Sequence, residues 1–206
     1  MPTQDRRTQR ERREHAEAAL ISAAAELVVD TGVRSLTLAR VGEKAGYSRG
    51  IVSHHFGSKQ GLLDALARAL QSGFVPGLDE QPPGLERLLA LVGGYLRALG
   101  SRSVTGRAFL LLWAESMTSA ELKPAFRDRD VGFRHDIAAE VAAGIADGAV
   151  RADADPADVA VAVVGQLRGI GMQYLLDPDA VDLDRLGDEV TDHWRRALAP
   201  DEPSAP

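Results

Sequence analysis

Ser48, Arg49 and Gly50 form a short polar run at which the sequence predicts the start of a helix. Serine is a favoured N-cap because its hydroxyl accepts a hydrogen bond from a backbone N–H of the first turn. The free N–H groups and the helix dipole at such a terminus favour a phosphate or the polar edge of a base. Arg49 can also donate two parallel hydrogen bonds to O6 and N7 of guanine. The run therefore has the chemistry of a site that holds an anion or reads a base.

The histidines and carboxylates elsewhere do not form a recognisable catalytic or metal site. His54 and His55 are adjacent, so on a helix their side chains point about 100° apart and cannot chelate one ion. His135 and Glu140 have a poor spacing for one helical face. The chain has no cysteine, and we find no nucleophile motif, phosphate-binding glycine loop or cofactor fingerprint. We therefore predict that the chain is not an enzyme and binds no cofactor and no metal.

The composition predicts a helical protein that does not enter a membrane. Hydrophobic residues make up 45% of the 206 residues and aromatic residues only 5%, and the prevalence of Ala and Leu favours helices over sheets. No segment reaches the ~18 uncharged apolar residues that a membrane span needs, and the charged N-terminus does not resemble a signal peptide. We expect a cytoplasmic protein.

The net charge of -6 is unevenly distributed. The first 60 residues carry ten Lys/Arg and seven Asp/Glu, whereas the rest carry fourteen and twenty-three. A polyanion would therefore be attracted to the N-terminal end and repelled by the remainder. Five arginines lie within residues 1–13, which we interpret as a basic arm, with a solvated disordered tail as the alternative.

Helix caps and glycine stops are closely spaced in the first 73 residues. Gly32 and Gly46 are placed to end the first two helices, and Thr37, Ser48 and Ser58 to cap those that follow. These predicted helices cover about 11–31, 37–45, 48–56 and 58–70.

The second and third predicted helices meet the requirements of a helix-turn-helix over about 37–55. The first helix of this motif needs an apolar anchor and then a small residue where the second helix crosses, here Val41 and Gly42. The turn needs a residue that tolerates positive φ, here Gly46. Ala45 can point inward beside it, and Val52 anchors the second helix.

Beyond a proline- and glycine-rich stretch at 74–84, amphipathic patterns predict further helices over about 84–100, 104–117, 121–147, 155–176 and 182–198. The predicted fold class is all-α, with an N-terminal three-helix helix-turn-helix domain and a C-terminal helical domain. The predicted divisions are a basic arm (1–13), the helix-turn-helix domain (14–57), a connecting helix (58–73), the C-terminal domain (74–200) and a disordered tail (201–206).

The run from Leu36 to Leu66 resembles the DNA-binding region of the tetracycline-repressor (TetR) family of bacterial regulators. It departs from the family pattern at Gly42, Tyr47 and Ser53, where alanine, valine and tyrosine are usual. The segments RAFLLLWAES and GQLRGIGMQYLLDP resemble the ligand domains of the betaine-regulator-like branch. The pattern is matched at Thr37, Val41, Ala45, Gly46, Ser48, Gly50, His55, Phe56, Ser58, Lys59 and Leu62.

The resemblance implies that the partner is double-stranded DNA. It implies phosphate contacts for Thr37, His55 and Lys59, and His54 could replace the family tyrosine that is missing at Ser53. The predicted DNA-binding residues are Thr37, Tyr47, Ser48, Arg49, Gly50, Ser53, His54, His55 and Lys59.

The resemblance also implies a ligand pocket in the C-terminal domain. The pocket candidates are mostly large apolar side chains, some of which end in a polar group, as is common in ligand sites. Each of them could instead be an ordinary residue of the hydrophobic core. Arg168 and His135 could bind a charged group of the ligand. We expect a small, largely apolar effector with one polar or anionic group. The candidates are Tyr95, Leu96, Phe109, Leu112, Trp113, Ser116, Met117, Phe126, Phe133 and Gln166.

A dimer interface is predicted on the last two helices. Residues 159–175 are nearly uncharged, and Gly165, Gly169 and Gly171 are costly in a helix unless something packs closely against them. Two such helices from each subunit make a four-helix interface, and the alternative is that both pack inside the monomer. The predicted interface residues are Val159, Val163, Leu167, Ile170, Tyr174, Leu186, Val190 and Trp194.

These observations predict a homodimeric repressor that binds a palindromic operator and is released by a small-molecule effector. A dimer suits one short reading helix per chain, because two such helices read the two halves of a palindrome. The alternatives are a ligand-dependent activator and a helical dimer with a vestigial DNA domain.

Overall fold

A computed structural model describes residues 9–71, 75, 77–100 and 104–200. In this part of the chain the regular elements are α helices and two short 3-10 turns, at Val33–Ser35 and Leu78–Glu80. The all-α prediction is confirmed. The helices are α1 Gln9–Thr31, α2 Leu38–Ala45, α3 Arg49–Phe56, α4 Lys59–Gln71, α5 Leu85–Gly100, α6 Val104–Ser116, α7 Lys123–Ala146, α8 Pro156–Leu176 and α9 Leu183–Leu198.

The first helix starts earlier than the sequence predicts. Residues 9–13, assigned to a basic arm, are the first turns of α1, so Arg10 and Arg13 lie on a helix. Arg10 pairs with Glu14 one turn later at 2.8 Å, a spacing that stabilises helices. The rest of the predicted arm, 1–8, and the predicted tail, 201–206, lie outside the described residues.

The chain divides into two compact units. The N-terminal unit comprises residues up to 72 together with 111–125, and the C-terminal unit comprises 73–110 and the residues from 126 onward. Helix α6 begins in the C-terminal unit and ends in the N-terminal one. Residues 111–125 were predicted to belong to the C-terminal domain. Instead, Glu115 accepts a hydrogen bond from Arg34 at 3.2 Å within the N-terminal unit.

The N-terminal unit has an apolar core shared by its first four helices. Lys44 on α2 contacts two carboxylates on α1, Glu26 at 3.0 Å and Asp30 at 3.3 Å. The hydrogen bonds to these carboxylates raise the pKa of Lys44, and the ion pairs help to join α2 to α1. The fully buried core residues include Leu20, Val28, Leu36, Val41, Val52, Leu62 and Leu66.

In the C-terminal unit α5 packs against α8 and α9. Gly171 on α8 lies close to α5 and α6, because an added Cβ would lie 3.2 Å from Leu99 Cδ2 and 2.8 Å from Leu110 Cδ1, and these leucine side chains would have to shift. By length and composition α8 could cross a membrane, with a mean hydropathy of 1.3 over 18 residues. Half of that window is buried, as expected for a core helix.

Candidate nucleic-acid interface

The turn between α2 and α3 has the geometry that the sequence predicts. The Thr37 hydroxyl caps α2 by accepting from the Arg40 N–H at 3.2 Å. Gly46 ends the helix with φ 74° and ψ 25°, a left-handed conformation that favours glycine. The Tyr47 N–H then donates to the Gly42 carbonyl at 2.8 Å, which closes the turn and directs the chain into α3.

Gly42 allows α3 to cross close to α2. A Cβ at this position would lie 2.7 Å from the Tyr47 carbonyl oxygen and 3.2 Å from Val52 Cγ2. The predicted small residue at the crossing is therefore confirmed, and glycine gives a closer approach than the family's usual alanine. The predicted anchors Val41 and Val52 are fully buried beside it.

A second close approach, not predicted from the sequence, fixes the other end of α3. A Cβ on Gly61, in the first turn of α4, would lie 2.0 Å from the Phe56 carbonyl oxygen. The Ser58 hydroxyl caps α4 by accepting from the Gly61 N–H at 3.1 Å. The sequence analysis did not predict a role for Gly61, because a glycine near the start of a helix has no local sequence signature. Its requirement becomes visible only when α3 and α4 are placed together in the structure.

The N-terminus of α3 presents an exposed cation. The Ser48 hydroxyl caps the helix by accepting from the Ile51 N–H at 3.3 Å, while Arg49 and Gly50 are exposed. Arg49 forms no hydrogen bond or ion pair with the other described residues. A cation at a helix N-terminus opposes the helix dipole. The fold therefore gives no internal reason for arginine at this position.

Ile51 is an exposed apolar residue on the same helix, and the sequence reading missed it. Its side chain is 40% exposed, one residue beyond Gly50. An apolar group beside an arginine suits a base edge, because thymine presents a methyl group in the major groove.

The C-terminal end of α3 faces the start of α1. His54 and His55 line a concave pocket with Gln9, Arg10 and Arg13. The Nδ1 atom of His55 is buried and has no hydrogen-bond partner among the described residues. This pocket brings cationic and titratable side chains together beside the helix that carries Arg49.

Two other predicted contact residues form hydrogen bonds within the protein, and a third is partly buried. Lys59 is exposed, and its ammonium donates to the Arg34 carbonyl at 3.3 Å. The Ser53 hydroxyl donates to the Gly57 carbonyl at 3.4 Å. Tyr47 is half-buried. Their contacts with DNA stay predictions.

In the C-terminal unit, three predicted pocket residues surround the buried guanidinium of Arg168. The guanidinium carbon lies 4.5 Å from the ring centre of Phe109 and 5.6 Å from those of Tyr95 and Phe133. The Arg168 Nη1 donates to the Tyr95 hydroxyl, and the Nη2 lies 3.4 Å from a carboxylate oxygen of Asp130. Burial raises the pKa of Tyr95, and the adjacent guanidinium opposes that shift.

The remaining pocket candidates do not all join this cluster. The ring of Phe126 packs against that of Phe109 at a tilt of 40°, with ring centres 5.7 Å apart, and Leu96 is fully buried in the same unit. Gln166 instead accepts a hydrogen bond from the Trp194 indole N–H at 2.7 Å. Four candidates belong to the N-terminal unit: Leu112, Trp113, Ser116 and Met117.

The predicted dimer residues lie in the core of the C-terminal unit. Leu186 is half-buried, and the other seven are at most 9% exposed. The exposed face of α8 is the opposite one. It carries Val161 and Leu176, 55% and 84% exposed, and also Gly165 and Gly169, beside which an added Cβ would meet no described atom within 4 Å.

A helix-turn-helix with an exposed arginine at the start of its second helix, in a chain whose described elements are all helical, defines a DNA-binding protein of the helix-turn-helix class. Two family profiles match the sequence. The profile described as "Bacterial regulatory proteins, tetR family" covers residues 20–66. The profile described as "BetI-type transcriptional repressor, C-terminal" covers residues 84–199, more than half of the chain. The chain belongs to the TetR family of bacterial transcriptional regulators.

Individual proteins agree with this assignment. The HTH-type transcriptional regulator BetI of Escherichia coli (strain K12) is 36% identical over 104 residues, which are 48% of this chain and 53% of that protein. The chain thus spans about half the length of the curated relatives it matches. Because these relatives and the family profiles describe regulators, the prediction that the chain is not an enzyme is confirmed.

Solved structures show the same fold. A transcriptional regulator from Saccharomonospora viridis in complex with choline has a TM-score of 0.77 at 22% identity, covering 90% of this chain and 98% of that one. FadR from Bacillus subtilis in complex with stearoyl-CoA has a TM-score of 0.78 at 16% identity, covering 88% and 98%. NalD, a repressor of a multidrug efflux pump in Pseudomonas aeruginosa, has a TM-score of 0.73 at 21% identity, covering 92% and 98%.

Proposed function

We propose that the chain is a cytoplasmic, homodimeric repressor that binds a palindromic operator and is released from it by a small-molecule effector. The observation that carries the proposal is the exposed start of α3, where Arg49, Gly50 and Ile51 are exposed on a helix that buried Val52 anchors in the core. The BetI-type repressor profile over residues 84–199 supports repression, and not activation, as the effect on transcription.

In this proposal α3 lies in the major groove and reads the operator through its first turn. Arg49 donates to O6 and N7 of guanine, and Ile51 packs against a thymine methyl group. The N–H groups of this first turn face the sugar-phosphate backbone. Guanine is thus the base whose replacement should weaken binding most.

Flanking side chains hold the phosphates on either side of the reading helix. Thr37 and Lys59 are exposed beside the two ends of the motif, and His54 and His55 share their pocket with Arg10 and Arg13. Contacts of this kind position the protein without reading sequence.

The dimer in this proposal forms through the exposed face of α8. Val161, Gly165, Gly169 and Leu176 recur at helical spacing on that face, and this part of the chain surface carries little charge. Glycines with open space beside them allow a second helix to approach closely. This interface replaces the buried residues that the sequence pattern suggested.

The effector acts by favouring an arrangement of the two reading helices that no longer matches the operator. An effector can shift this equilibrium only by binding the two arrangements with different affinity. Proteins of the same fold have been solved with choline and with stearoyl-CoA, which supports a small organic molecule as the controlling ligand.

Fluorescence anisotropy with duplex DNA from the region upstream of the chain's own gene tests the proposal. We expect binding that exceeds binding to a scrambled duplex by about 10³-fold or more, and that weakens steeply as salt rises from 50 to 200 mM, on the order of 10³-fold for six phosphate contacts. Binding that is equal for both duplexes, or that does not depend on salt, would contradict it.

A further inference from the structure

We propose that Arg34 and Arg40 bind a phosphate of the DNA backbone together with Lys59. Glu115, which pairs with Arg34 in the free protein, competes with this phosphate. The inference rests on the proposed function, because it adds contacts to the same DNA-binding surface. Neither arginine is among the contact residues that the sequence predicts. The observation that carries the inference is a cluster of three cationic side chains around one short turn of the N-terminal unit.

The three cations meet at the 3-10 turn Val33–Ser35, which precedes α2. Arg34 belongs to this turn, and its side chain is 84% exposed. The ammonium of Lys59, at the start of α4, donates to the Arg34 carbonyl at 3.3 Å. Nη1 of Arg40, on α2, donates to the Ser35 carbonyl at 3.0 Å. Both acceptors are neutral carbonyl groups, so they hold the two cations at the turn without neutralising their charge.

Glu115 is the one carboxylate that forms an ion pair with this cluster in the part of the chain that the structure describes. Its Oε1 accepts a hydrogen bond from Nε of Arg34 at 3.2 Å. The two terminal nitrogens of that guanidinium bond no described residue. An exposed ion pair of this kind contributes little to folding stability. The cluster therefore carries a net positive charge, and most of the Arg34 donors are free to bind a ligand.

The chemistry and the position of the cluster favour a phosphate of the DNA backbone. A guanidinium can donate two parallel hydrogen bonds to phosphate oxygens, and an adjacent ammonium adds a second charge. The turn comes directly before α2, and Lys59 begins the helix that follows α3. The cluster thus joins the two ends of the helix-turn-helix and does not belong to its reading helix. Contacts of such flanking cations are with the backbone and do not read sequence.

Glu115 has a defined effect on this site. A phosphate that binds Arg34 approaches a carboxylate bonded to the same guanidinium, so the two negative charges repel each other. Glu115 belongs to the last turn of α6, which keeps its charge near the site when Arg34 binds DNA. Removal of that charge should therefore strengthen binding to DNA of any sequence.

Fluorescence anisotropy of the full chain with the upstream duplex and the scrambled duplex, from 50 to 200 mM salt, tests the proposal. Arg34→Ala should weaken binding to both duplexes by about two- to fivefold. It should also lower the slope of log affinity against log salt by about 1. Glu115→Gln should tighten binding to both duplexes by about two- to fivefold. Loss of folding cannot produce this second result.

Glu86→Gln is the matched control for loss of a paired carboxylate. Glu86 is an exposed glutamate on α5 that accepts a hydrogen bond from Arg195 at 3.0 Å within the C-terminal unit, so DNA affinity should not change. The double variant Arg34→Ala/Glu115→Gln should bind as Arg34→Ala does, because the competition requires Arg34. A purely structural pair would lower the thermal stability of both single variants and leave DNA affinity unchanged.

An unchanged salt slope in Arg34→Ala, or unchanged or weaker DNA binding by Glu115→Gln, would each overturn the proposal. Equal tightening by Glu86→Gln would overturn it too. Because backbone contacts act on both duplexes, the scrambled duplex decides this inference whichever sequence the chain prefers. Absence of these effects with an intact preference for the upstream duplex rejects only this inference. Equal binding of both duplexes by the unmodified chain contradicts the proposed function.

Discussion

Replacing Arg49 with alanine is expected to weaken operator binding by about fivefold or more while leaving the fold intact. The side chain is exposed and makes no bond with the other described residues, so its removal should cost little folding stability. A bidentate arginine–guanine contact contributes about 1–3 kcal/mol of discrimination, which corresponds to about 5- to 150-fold in affinity. Fluorescence anisotropy measures the affinity, and circular dichroism measures the fold.

Arg127→Ala is the control for loss of one positive charge. Arg127 is exposed on α7 and pairs with its neighbour Asp128, far along the chain from the motif. We expect this variant to bind the operator as the unmodified chain does. The Arg49→Ala protein should also lose its preference for guanine at the contacted position. If it binds the operator as tightly as Arg127→Ala, Arg49 does not read the DNA.

The substitution Gly169→Glu is expected to convert the dimer to a monomer and to weaken operator binding by about 100-fold or more. Gly169 lies on the exposed face of α8 with open space beside it, so the single chain can accept the side chain. Two copies facing each other would bring two carboxylates together in an uncharged interface, which is strongly unfavourable. A monomer loses the effective concentration that couples its two half-site contacts, an effect of about 10²–10⁴.

Sedimentation velocity with Gly132→Glu as control separates this effect from simple destabilisation. Gly132 on α7 also has no described atom within 4 Å of an added Cβ, but it lies outside the proposed interface. We expect Gly132→Glu to remain dimeric and Gly169→Glu to sediment as a monomer. A dimeric Gly169→Glu protein would place the interface on another surface.

The helix-turn-helix could be predicted because its signals are local. Thr37, Ser48 and Gly46 act within a few residues of their own positions, through caps and a left-handed turn. Such local signals can be recognised in the sequence without knowledge of the tertiary structure. The first turns of α1 were misassigned because a run of arginines favours a solvated arm as much as a helix, and the Arg10–Glu14 pair that supports the helix is itself a weak signal.

The C-terminal unit was less predictable because α8 is apolar on most of its surface. Periodicity cannot distinguish Val163, which is fully buried, from Val161, which is 55% exposed. The sequence therefore could not show which face of α8 is exposed, and we propose the exposed face as the interface in place of the buried residues predicted from the sequence. The Arg168 cluster was only partly anticipated, since its members are spread over residues 95–168 and no pattern linked Asp130 to them.

Selection of bound sequences from a random duplex library tests the central claim most directly. The purified chain should enrich one two-fold symmetric sequence whose half-sites are centred about one helical turn, 34–36 Å, or a multiple of it apart. Guanine should be required in each half-site, and the same selection with Arg49→Ala should lose that requirement. Failure to enrich any sequence, or the same enriched sequence with Arg49→Ala, would contradict the account.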